Sequence, residues 1–549
     1  MIDLRRFRPF LLCFAGFAFI AILLGYHSFF NLKSTAYPWW YEQGNDGDGI
    51  NVTQSLALLN NADLLCVTQP AGTLYGIHGS FYRALCVAHQ PYCALMHLDN
   101  VSQLPDAFAL LDLAMRASRV LTYCIYLFLF IIFWIMLFYL VQNGCMAFFL
   151  SAFFMTAPTM IEKLHIIRSE LISFVFCALI LMVVLVYTYQ WKKSLPREIA
   201  AGLLIGICGA LAIFTKILVL PEIFILFLIW SLWQKNSRET ITSNKIPALA
   251  IGVSLLNFLI MPWHWLKRPA LLTDAYLEKF YPGGDDIRVY GPVPQTLAPL
   301  ILPILAVLLG MALIAFFKSR VWPKFLLMTL RMNVITCGMI LGCYLVFAGL
   351  GMNRPSYHAA SNHLLYSTIT NVLYGAFLQN KVVMATILNP IWGAHGKCNL
   401  LGINILQYVS FAAAASVLRI LWPKTSNKLS YGAVVFFFVL GGFMDTVSSM
   451  RWKGNYILSS YTIYSLSCYI LGLGLWLGNE CRRLRGWRGQ SVCMIVCLAL
   501  AYHLISQTIF FINLPKASGI AAEQNPKQEM LNTLSHVRSF WDLVSHGQL

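Results

Sequence analysis

Charged residues are scarce in this 549-residue sequence. They make up 11% of the chain, against roughly 25% in an average soluble domain. Acidic residues are the scarcer kind, with 22 Asp and Glu against 39 Lys and Arg, whereas hydrophobic residues make up 58%. This composition excludes a soluble globular protein, a disordered chain and a fibrous protein. The 15 Trp, 25 Tyr and 37 Phe are typical of a bilayer protein, in which aromatic side chains concentrate at both interfaces.

Paired cysteine motifs are also lacking. The 15 cysteines are scattered along the chain, and no two of them have Cys-x-x-Cys spacing. We therefore expect neither a zinc site nor a disulfide framework. The sequence also has no fixed-period repeat of the kind that solenoids require and no low-complexity tract.

Long apolar runs are what the sequence has instead. A helix that crosses a hydrocarbon core of ~30 Å needs about 20 apolar residues, and we count about thirteen such runs. The sequence therefore predicts an all-α polytopic membrane protein with about 13 transmembrane helices. The first run is too long for the core of a signal peptide, which favours a membrane anchor, and the short third run is either re-entrant or tilted. The runs lie near residues 9–26, 119–141, 144–158, 170–189, 198–215, 217–233, 246–264, 296–316, 333–351, 403–421, 431–447, 457–478 and 491–513.

Basic residues occur in every second loop between these runs, which the positive-inside rule assigns to the cytoplasm together with the N-terminus. The formal net charge of +17 therefore reflects topology, and no nucleic acid partner is expected. This topology divides the chain into a cytoplasmic N-terminus with the first helix (1–26), an outer loop (27–118), a transmembrane bundle (119–513) and an outer tail (514–549). The outer loops are long and chemically mixed, so we expect the working face to be the periplasmic side of a bacterial inner membrane, or the lumenal side in a eukaryote.

Two carboxylates in the first outer loop are the strongest candidates for chemistry. Asp46 and Asp48 are each followed by Gly, which permits close approach of a ligand to the backbone. Residues 51–65 behind them look helical, with Asp48 as a candidate N-cap, and a second amphipathic stretch covers about 104–118. Such helices lie at membrane interfaces. A solvated turn explains the same carboxylates, and a hydrogen-bonded loop histidine explains His78, so both alternatives stay open at this point.

This layout resembles the GT-C superfamily of polytopic membrane glycosyltransferases. In those enzymes an Asp or Glu soon after the first helix acts as catalytic base or positions the acceptor, and a Pro-Gly element lies between two interfacial helices. The resemblance makes Asp48, assisted by Asp46, the catalytic carboxylate of an inverting transfer. The other matching elements are Pro70 to Gly72, the Arg-x-Glu run Arg168-Ser169-Glu170, and the basic-aromatic stretch Arg451-Trp452-Lys453-Gly454-Asn455-Tyr456.

The resemblance also implies the substrates. The donor would be a sugar on a polyprenyl phosphate in the bilayer, and the acceptor a lipid, a glycan or a protein. Cations on the outer face would bind the leaving lipid phosphate, because Arg suits phosphate through its forked donors. Two neighbouring carboxylates can also hold a divalent cation, so metal dependence is open at Asp46 and Asp48. The implied phosphate-binding residues are Arg168, Arg354, Arg451 and Lys453, and the implied substrate-binding residues are His78, Glu170 and Tyr456.

Four alternatives remain. Arg168 and Glu170 could simply pair at a helix end, and Arg451 and Lys453 could anchor a helix at the interface. The chain could instead be a polymerase or ligase of lipid-linked polysaccharides, although the large loop of those enzymes comes late in the chain. A secondary transporter, the non-enzyme alternative, predicts ionisable residues in mid-helix and repeated halves. Asp445, at a membrane edge, is a further candidate functional residue.

Overall fold

We describe the fold from a computed structural model of the chain. The residues that the structure describes are 4–29, 48–60, 72–97, 104–165, 167, 169–189, 194–216, 219–232, 245–263, 298–318, 323–353, 395, 398–422, 428–451, 462–484 and 486–513.

Helices make up nearly all of this part of the chain. A 3₁₀ helix covers Gln90–Met96, a π-helical turn at Leu345–Gly349 continues the helix that ends at Tyr344, and a hairpin of two-residue strands pairs β1 (Asn399–Leu400) with β2 (Ile403–Asn404). The α-helices are α1 (Leu4–Phe29), α2 (Asp48–Leu59), α3 (Gly72–Ala88), α4 (Leu104–Val141), α5 (Gly144–Met155), α6 (Pro158–His165), α7 (Ser169–Tyr189), α8 (Leu195–Thr215), α9 (Leu220–Leu232), α10 (Ile246–Ile260), α11 (Ala298–Phe317), α12 (Pro323–Tyr344), α13 (Ile405–Leu421), α14 (Lys428–Arg451), α15 (Thr462–Leu484) and α16 (Gly486–Asn513).

Six helical segments among the described residues are long and apolar enough to cross a membrane. The chain is therefore an all-α membrane protein, as the sequence predicts. A helix also overlaps each of the thirteen apolar runs, but several of these helices are short, and the count of thirteen spans stays a prediction. The division of the chain by side of the membrane likewise stays a prediction. The six segments are Ala109–Val141, Ser169–Thr188, Leu195–Thr215, Phe325–Gly349, Lys428–Asp445 and Gly486–Ser506.

The chain forms two compact units, each built from separate stretches of sequence. The first unit contains Met1–Glu42, Thr122–Ile166 and Val372–Pro526. The second unit contains Gln43–Leu121, Ile167–Asn371 and Lys527–Leu549.

In the second unit, α8 and α12 pack at very close range. Each helix has two glycines four residues apart, and a Cβ on Gly206 would clash with the backbone of α12, as one on Gly338 would with that of α8. Small residues at this spacing let helix backbones approach in a membrane, where packing replaces the hydrophobic effect as the driving force. The spacing Gly202/Gly206 against Gly338/Gly342 therefore explains why these two helices form the centre of the unit.

One end of this helix group is fastened by a buried ion pair. Arg331 of α12 donates from Nε to Oε1 of Glu198 at 2.7 Å, and Tyr187 donates to Oε2 of the same carboxylate. The guanidinium also lies over the ring of Trp230, 5.1 Å from its centroid, and donates to the Trp230 carbonyl. Each charge has hydrogen-bonding partners, which a buried ion pair requires to be tolerated. The cluster joins α7, α8, α9 and α12 at one end.

The first unit has glycine contacts of its own. The ring of Tyr469 on α15 occupies the space where a Cβ on Gly441 of α14 would lie, and Phe438 does the same at Gly472. At the end of α15, Glu480 accepts from Arg419 at 3.3 Å and from Arg483 at 2.7 Å.

The first outer loop differs from the sequence prediction in two ways. Residues 104–118 do not form a separate interfacial helix, because α4 runs without interruption for 38 residues, or ~57 Å at 1.5 Å per residue. No Gly or Pro separates the amphipathic part from the apolar part, so the helix continues. The predicted helix at 51–65 is observed as α2, but its residues 51–59 are buried all round instead of lying at an interface. Four polar side chains are buried with them, Asn51, Thr53, Gln54 and Ser55.

Candidate functional site

The start of α2 is held against the start of α7. Asp48 is the first residue of α2, and Asn51 lies one helical turn further on. The buried side chain of Asn51 donates from Nδ2 to the carbonyl oxygen of Ile167 at 2.6 Å. Residues three apart on a helix are neighbours on its surface, so the backbone of Asp48 is next to this contact. The bond therefore brings the backbone of Asp48 to the segment that precedes Arg168 in the sequence.

Glu170 lies in the first turn of α7 and pairs with Lys216. Its Oε1 is 2.9 Å from the Lys216 ammonium, and its side chain is 3% exposed. The alternative of a pair between Arg168 and Glu170 stays a prediction, because Arg168 lies outside the described residues. Glu170 follows Ile167 by three residues, so their Cα atoms are at most about 11 Å apart. The carboxylate of Glu170 is thus close to the contact between α2 and α7.

The start of α3 packs on the end of α8. Thr73 donates from Oγ1 to the carbonyl oxygen of Leu211 at 3.0 Å. Gly72, the last residue of the Pro-Gly element, lies against the end of the flexible Met352 side chain, and a Cβ there would lie 3.7 Å from the Phe214 carbonyl oxygen. Gly72 is therefore next to the helix end that Lys216 caps.

These contacts define what we call the junction: the starts of α2, α3 and α7 and the end of α8, all in the second unit. Three helix N-termini at one place favour negative charge, which suits Asp48 on α2 and Glu170 on α7. The cation Lys216 lies at the C-terminal end of α8, where positive charge is favoured. One described residue of each of three elements that the sequence singled out separately thus lies at the junction: Asp48 of the acidic motif, Gly72 of the Pro-Gly element and Glu170 of the Arg-x-Glu run.

The structure does not place the remaining predicted site residues at the junction. Met352, which packs on Gly72, precedes Arg354 by two positions in the sequence. Arg451 is the last residue of α14 in the first unit, and its side chain is not among those described; the same holds for the side chain of Asp48. The predicted residues outside the described part of the chain are Asp46, Arg168, Arg354, Lys453 and Tyr456.

His78 is on a helix and not in a loop. It belongs to α3, is 1% exposed, and its Nδ1 lies 2.8 Å from the hydroxyl of Ser118, which is also bonded to the Tyr82 hydroxyl. Burial lowers the pKa of His78 from 6.5 to about 3, so the imidazole is neutral at physiological pH. Its Nε2 has no hydrogen-bond partner among the described residues. The observed bonds fix the ring in place, and its proposed contact with substrate stays a prediction.

Metal binding by Asp46 and Asp48 also stays a prediction. Within the described ranges, no three His, Cys, Asp or Glu side chains are close enough to hold a metal ion. The side chains of Asp46 and Asp48 are not among those described. Carboxylate oxygens are the ligands that Mg²⁺ and Ca²⁺ prefer, so the residue types at this position fit such an ion.

Asp445 belongs to a separate buried cluster in the first unit. His395 Nε2 lies 3.0 Å from one carboxylate oxygen of Asp445 and 3.2 Å from the other, and Tyr469 donates to the carboxylate at 2.8 Å. The Ser465 hydroxyl is 3.3 Å from the same Nε2. A Ser-His-Asp relay needs the serine and the acid on opposite ring nitrogens, so this geometry does not form one. The cluster instead fastens His395 to the ends of α14 and α15.

Two features of the second unit escaped the sequence prediction. Cys86 at the end of α3 forms a disulfide with Cys93 in the 3₁₀ helix, although we expected no disulfide framework. Spacing alone gave no signal for this bond, because the two cysteines are brought together by the turn between the helices. Lys216 was also missed, although one signal was available: it lies between two apolar runs on the predicted outer side, where the positive-inside rule disfavours lysine.

Comparison with known proteins adds no relative. No protein-family model matches the sequence. No curated protein matches it either. The functional conclusion therefore depends on the residues and the geometry of the junction.

Proposed function

We propose that this chain is a membrane glycosyltransferase with a GT-C-like arrangement of about thirteen spans. It transfers a sugar from a polyprenyl-phosphate donor to a lipid, glycan or protein acceptor at the outer face of the membrane. The observation that carries the proposal is the hydrogen bond from Asn51 to Ile167, because it joins two motifs that are far apart in sequence and that the resemblance places in one active site.

The chemistry assigns different roles to the residues of the junction. Inverting transfer needs a base that accepts the acceptor proton while the sugar carbon becomes cationic, and a carboxylate at a partly buried helix end suits this role. We assign it to Asp48, with Asp46 in support. The leaving lipid phosphate needs a cation, and we assign this role to Arg168, which follows Ile167 in the sequence, and to Arg354, which follows Met352 by two positions. Glu170 and His78 are the groups that contact the substrate.

Placement of the site on the outer face has two supports. The Cys86–Cys93 disulfide is in the predicted outer loop, and disulfides persist in oxidising compartments such as the periplasm or the lumen. Twelve other described cysteines are free thiols. The location of the one bond in this loop supports the assigned orientation.

The second support concerns the alternating topology on which this placement depends. Within each unit, the ion pairs between helices of the described part join ends that the alternating topology places on the same side. The start of α7 meets the end of α8 through Glu170 and Lys216. At the opposite end of these helices, Arg331 in the first half of α12 pairs with Glu198 at the start of α8. In the first unit, Arg419 and Glu480 join the ends of α13 and α15.

The purified full chain in lipid nanodiscs provides the test. It would be incubated with a panel of short-chain polyprenyl-phosphate sugars and a hydroxyl acceptor, and the released polyprenyl phosphate would be measured. The proposal predicts release with at least one donor. A chain that releases no polyprenyl phosphate from any donor, yet drives flux of a soluble solute in proteoliposomes, is a transporter, and the proposal is then wrong.

A further inference from the structure

Lys216 is the cation of the junction, and no motif in the sequence indicates it. It caps the end of α8, and its ammonium lies 2.9 Å from Glu170 Oε1. About a quarter of the Lys216 side chain is exposed, whereas the Glu170 side chain is 3% exposed. A buried carboxylate keeps its charge only when a partner compensates for the lost hydration. The partner that the structure assigns to Glu170 is Lys216.

We propose that Lys216 is a positioning residue of the active site. Its ammonium holds the Glu170 carboxylate in a fixed orientation beside the start of α2, where Glu170 accepts hydrogen bonds from hydroxyls of the transferred sugar. A carboxylate has two oxygens with about four acceptor positions, so one oxygen can bind lysine while the group still accepts from a substrate. This inference rests on the proposed function, because it assumes that a sugar is bound at the junction.

A second ion pair on the same helices provides an internal comparison. Glu198 and Arg331 join α8 to α12 away from the junction, and both side chains are almost fully buried, at 2% and 3% exposure. That pair has what a structural fastening needs, namely two desolvated charges with further hydrogen bonds to Tyr187 and to backbone carbonyls. The Glu170–Lys216 pair differs in two ways. Its lysine is partly exposed, and Glu170 follows Ile167, the partner of Asn51, by three residues.

The two ion pairs also differ in position, because only Glu170–Lys216 lies next to described residues of the predicted motifs. The backbone of Asp48 neighbours Asn51, which bonds to Ile167, and Glu170 follows within a short stretch of chain. Thr73 and Gly72 pack on the last turn of α8, within a few residues of Lys216. A change in the position of the Lys216 ammonium therefore acts on Glu170 at the junction, where Asp48 and Gly72 also lie.

The experiment compares three variants of the full chain in nanodiscs, using the donor from the panel that wild type turns over. Lys216→Arg keeps the charge but changes the donor geometry. The double variant Glu170→Gln/Lys216→Met removes both charges and leaves no unpaired ion. Asp112→Asn/Arg116→Met is the matched control, because it removes an exposed ion pair of the same unit. Thermal unfolding checks that each variant is folded, and kcat and KM are measured separately.

The proposal predicts that Lys216→Arg is folded and loses roughly 10–100-fold in kcat with KM nearly unchanged, because small displacements of a positioned group cost about that much. The double variant should be folded and lose at least as much, while the control keeps wild-type kinetics. A pair that only fastens α7 to α8 predicts wild-type activity for Lys216→Arg and for the folded double variant, and this result would overturn the inference while leaving the proposed function intact. Wild type that turns over no donor contradicts the proposed function itself, and the inference then falls with it.

Discussion

The side-chain amide of Asn51 donates to the carbonyl oxygen of Ile167 across 116 positions of sequence. Asn51 is in the first turn of α2 and Ile167 precedes α7, so this bond joins the starts of two helices. The acidic motif ends at the first residue of α2, and the Arg-x-Glu run extends into the first turn of α7. A buried hydrogen bond therefore joins the two segments that carry the candidate halves of the active site.

Loss of this bond should reduce activity more than stability. Replacement of Asn51 by Ala removes one buried hydrogen bond, which costs about 1 kcal/mol of unfolding free energy. It also releases the start of α2 from α7, so we expect transfer activity to fall about tenfold or more. Thermal unfolding and polyprenyl phosphate release would be measured on the same preparation.

Asn60 provides the matched control, because its amide donates to the Leu95 carbonyl at 2.9 Å just beyond the other end of α2. Asn60→Ala should lose a similar amount of stability and keep most of its activity. Equal losses of activity in the two variants would show that α2 matters as a whole and that the Asn51 contact has no special role.

Acid should destabilise the protein through His78. Its pKa is about 3 in the folded chain against 6.5 when unperturbed, so between these values only the unfolded chain binds a proton there. The free energy of unfolding therefore falls as pH falls below 6.5, by at most about 1.4 kcal/mol per pH unit from this group. His78→Asn keeps a donor near Ser118 and does not titrate, so it should lose less stability than wild type between pH 6.5 and 5.0.

Thermal midpoints across that range check the prediction, with His89→Asn, an exposed histidine just after the same helix, as the control. Equal acid sensitivity in wild type and His78→Asn would contradict the burial of a neutral imidazole.

Counting the thiols that react with a maleimide tests the disulfide directly. When the chain is denatured without reductant, Cys86 and Cys93 should not react with a maleimide, so two fewer labels should be incorporated than after reduction. The double variant Cys86→Ser/Cys93→Ser should show no such difference, whereas Cys124→Ser, which removes an exposed free thiol, should lose one label in both conditions. Equal label counts before and after reduction in membrane-expressed wild type would contradict the outer location of this loop.

Local hydropathy predicted where helices lie, because an apolar run of about 20 residues reports burial or lipid contact without knowledge of its partners. Local hydropathy did not predict α3, and Gly72 and Gly76 also lower the helix propensity of this segment. Packing favours glycine at Gly76, where an added Cβ would meet the Cβ of Leu350, whereas at Gly72 it would overlap only the flexible end of Met352. Such contacts are made by residues far away in sequence, so they cannot be read from the segment itself.

The candidate site was predictable only in part for the same reason. The acidic motif and the Arg-x-Glu run are local patterns, and the sequence showed both. The partner of Glu170 is a tertiary contact, and nothing near Lys216 in the sequence indicates a carboxylate. His395 and Asp445 are also joined only by the fold, 50 residues apart.

The role of Asp48 as catalytic carboxylate is the central claim, and the rate of polyprenyl phosphate release by Asp48→Asn tests it most directly. The substitution keeps the shape of the side chain and removes the proton acceptor, and removal of a general base typically costs ~10²–10⁴-fold in rate. The account predicts a loss of this size in a variant whose unfolding midpoint is close to that of wild type, with Asp112→Asn as an unaffected control. If a folded variant with Asn at both Asp46 and Asp48 released polyprenyl phosphate at the wild-type rate, the assignment would be contradicted.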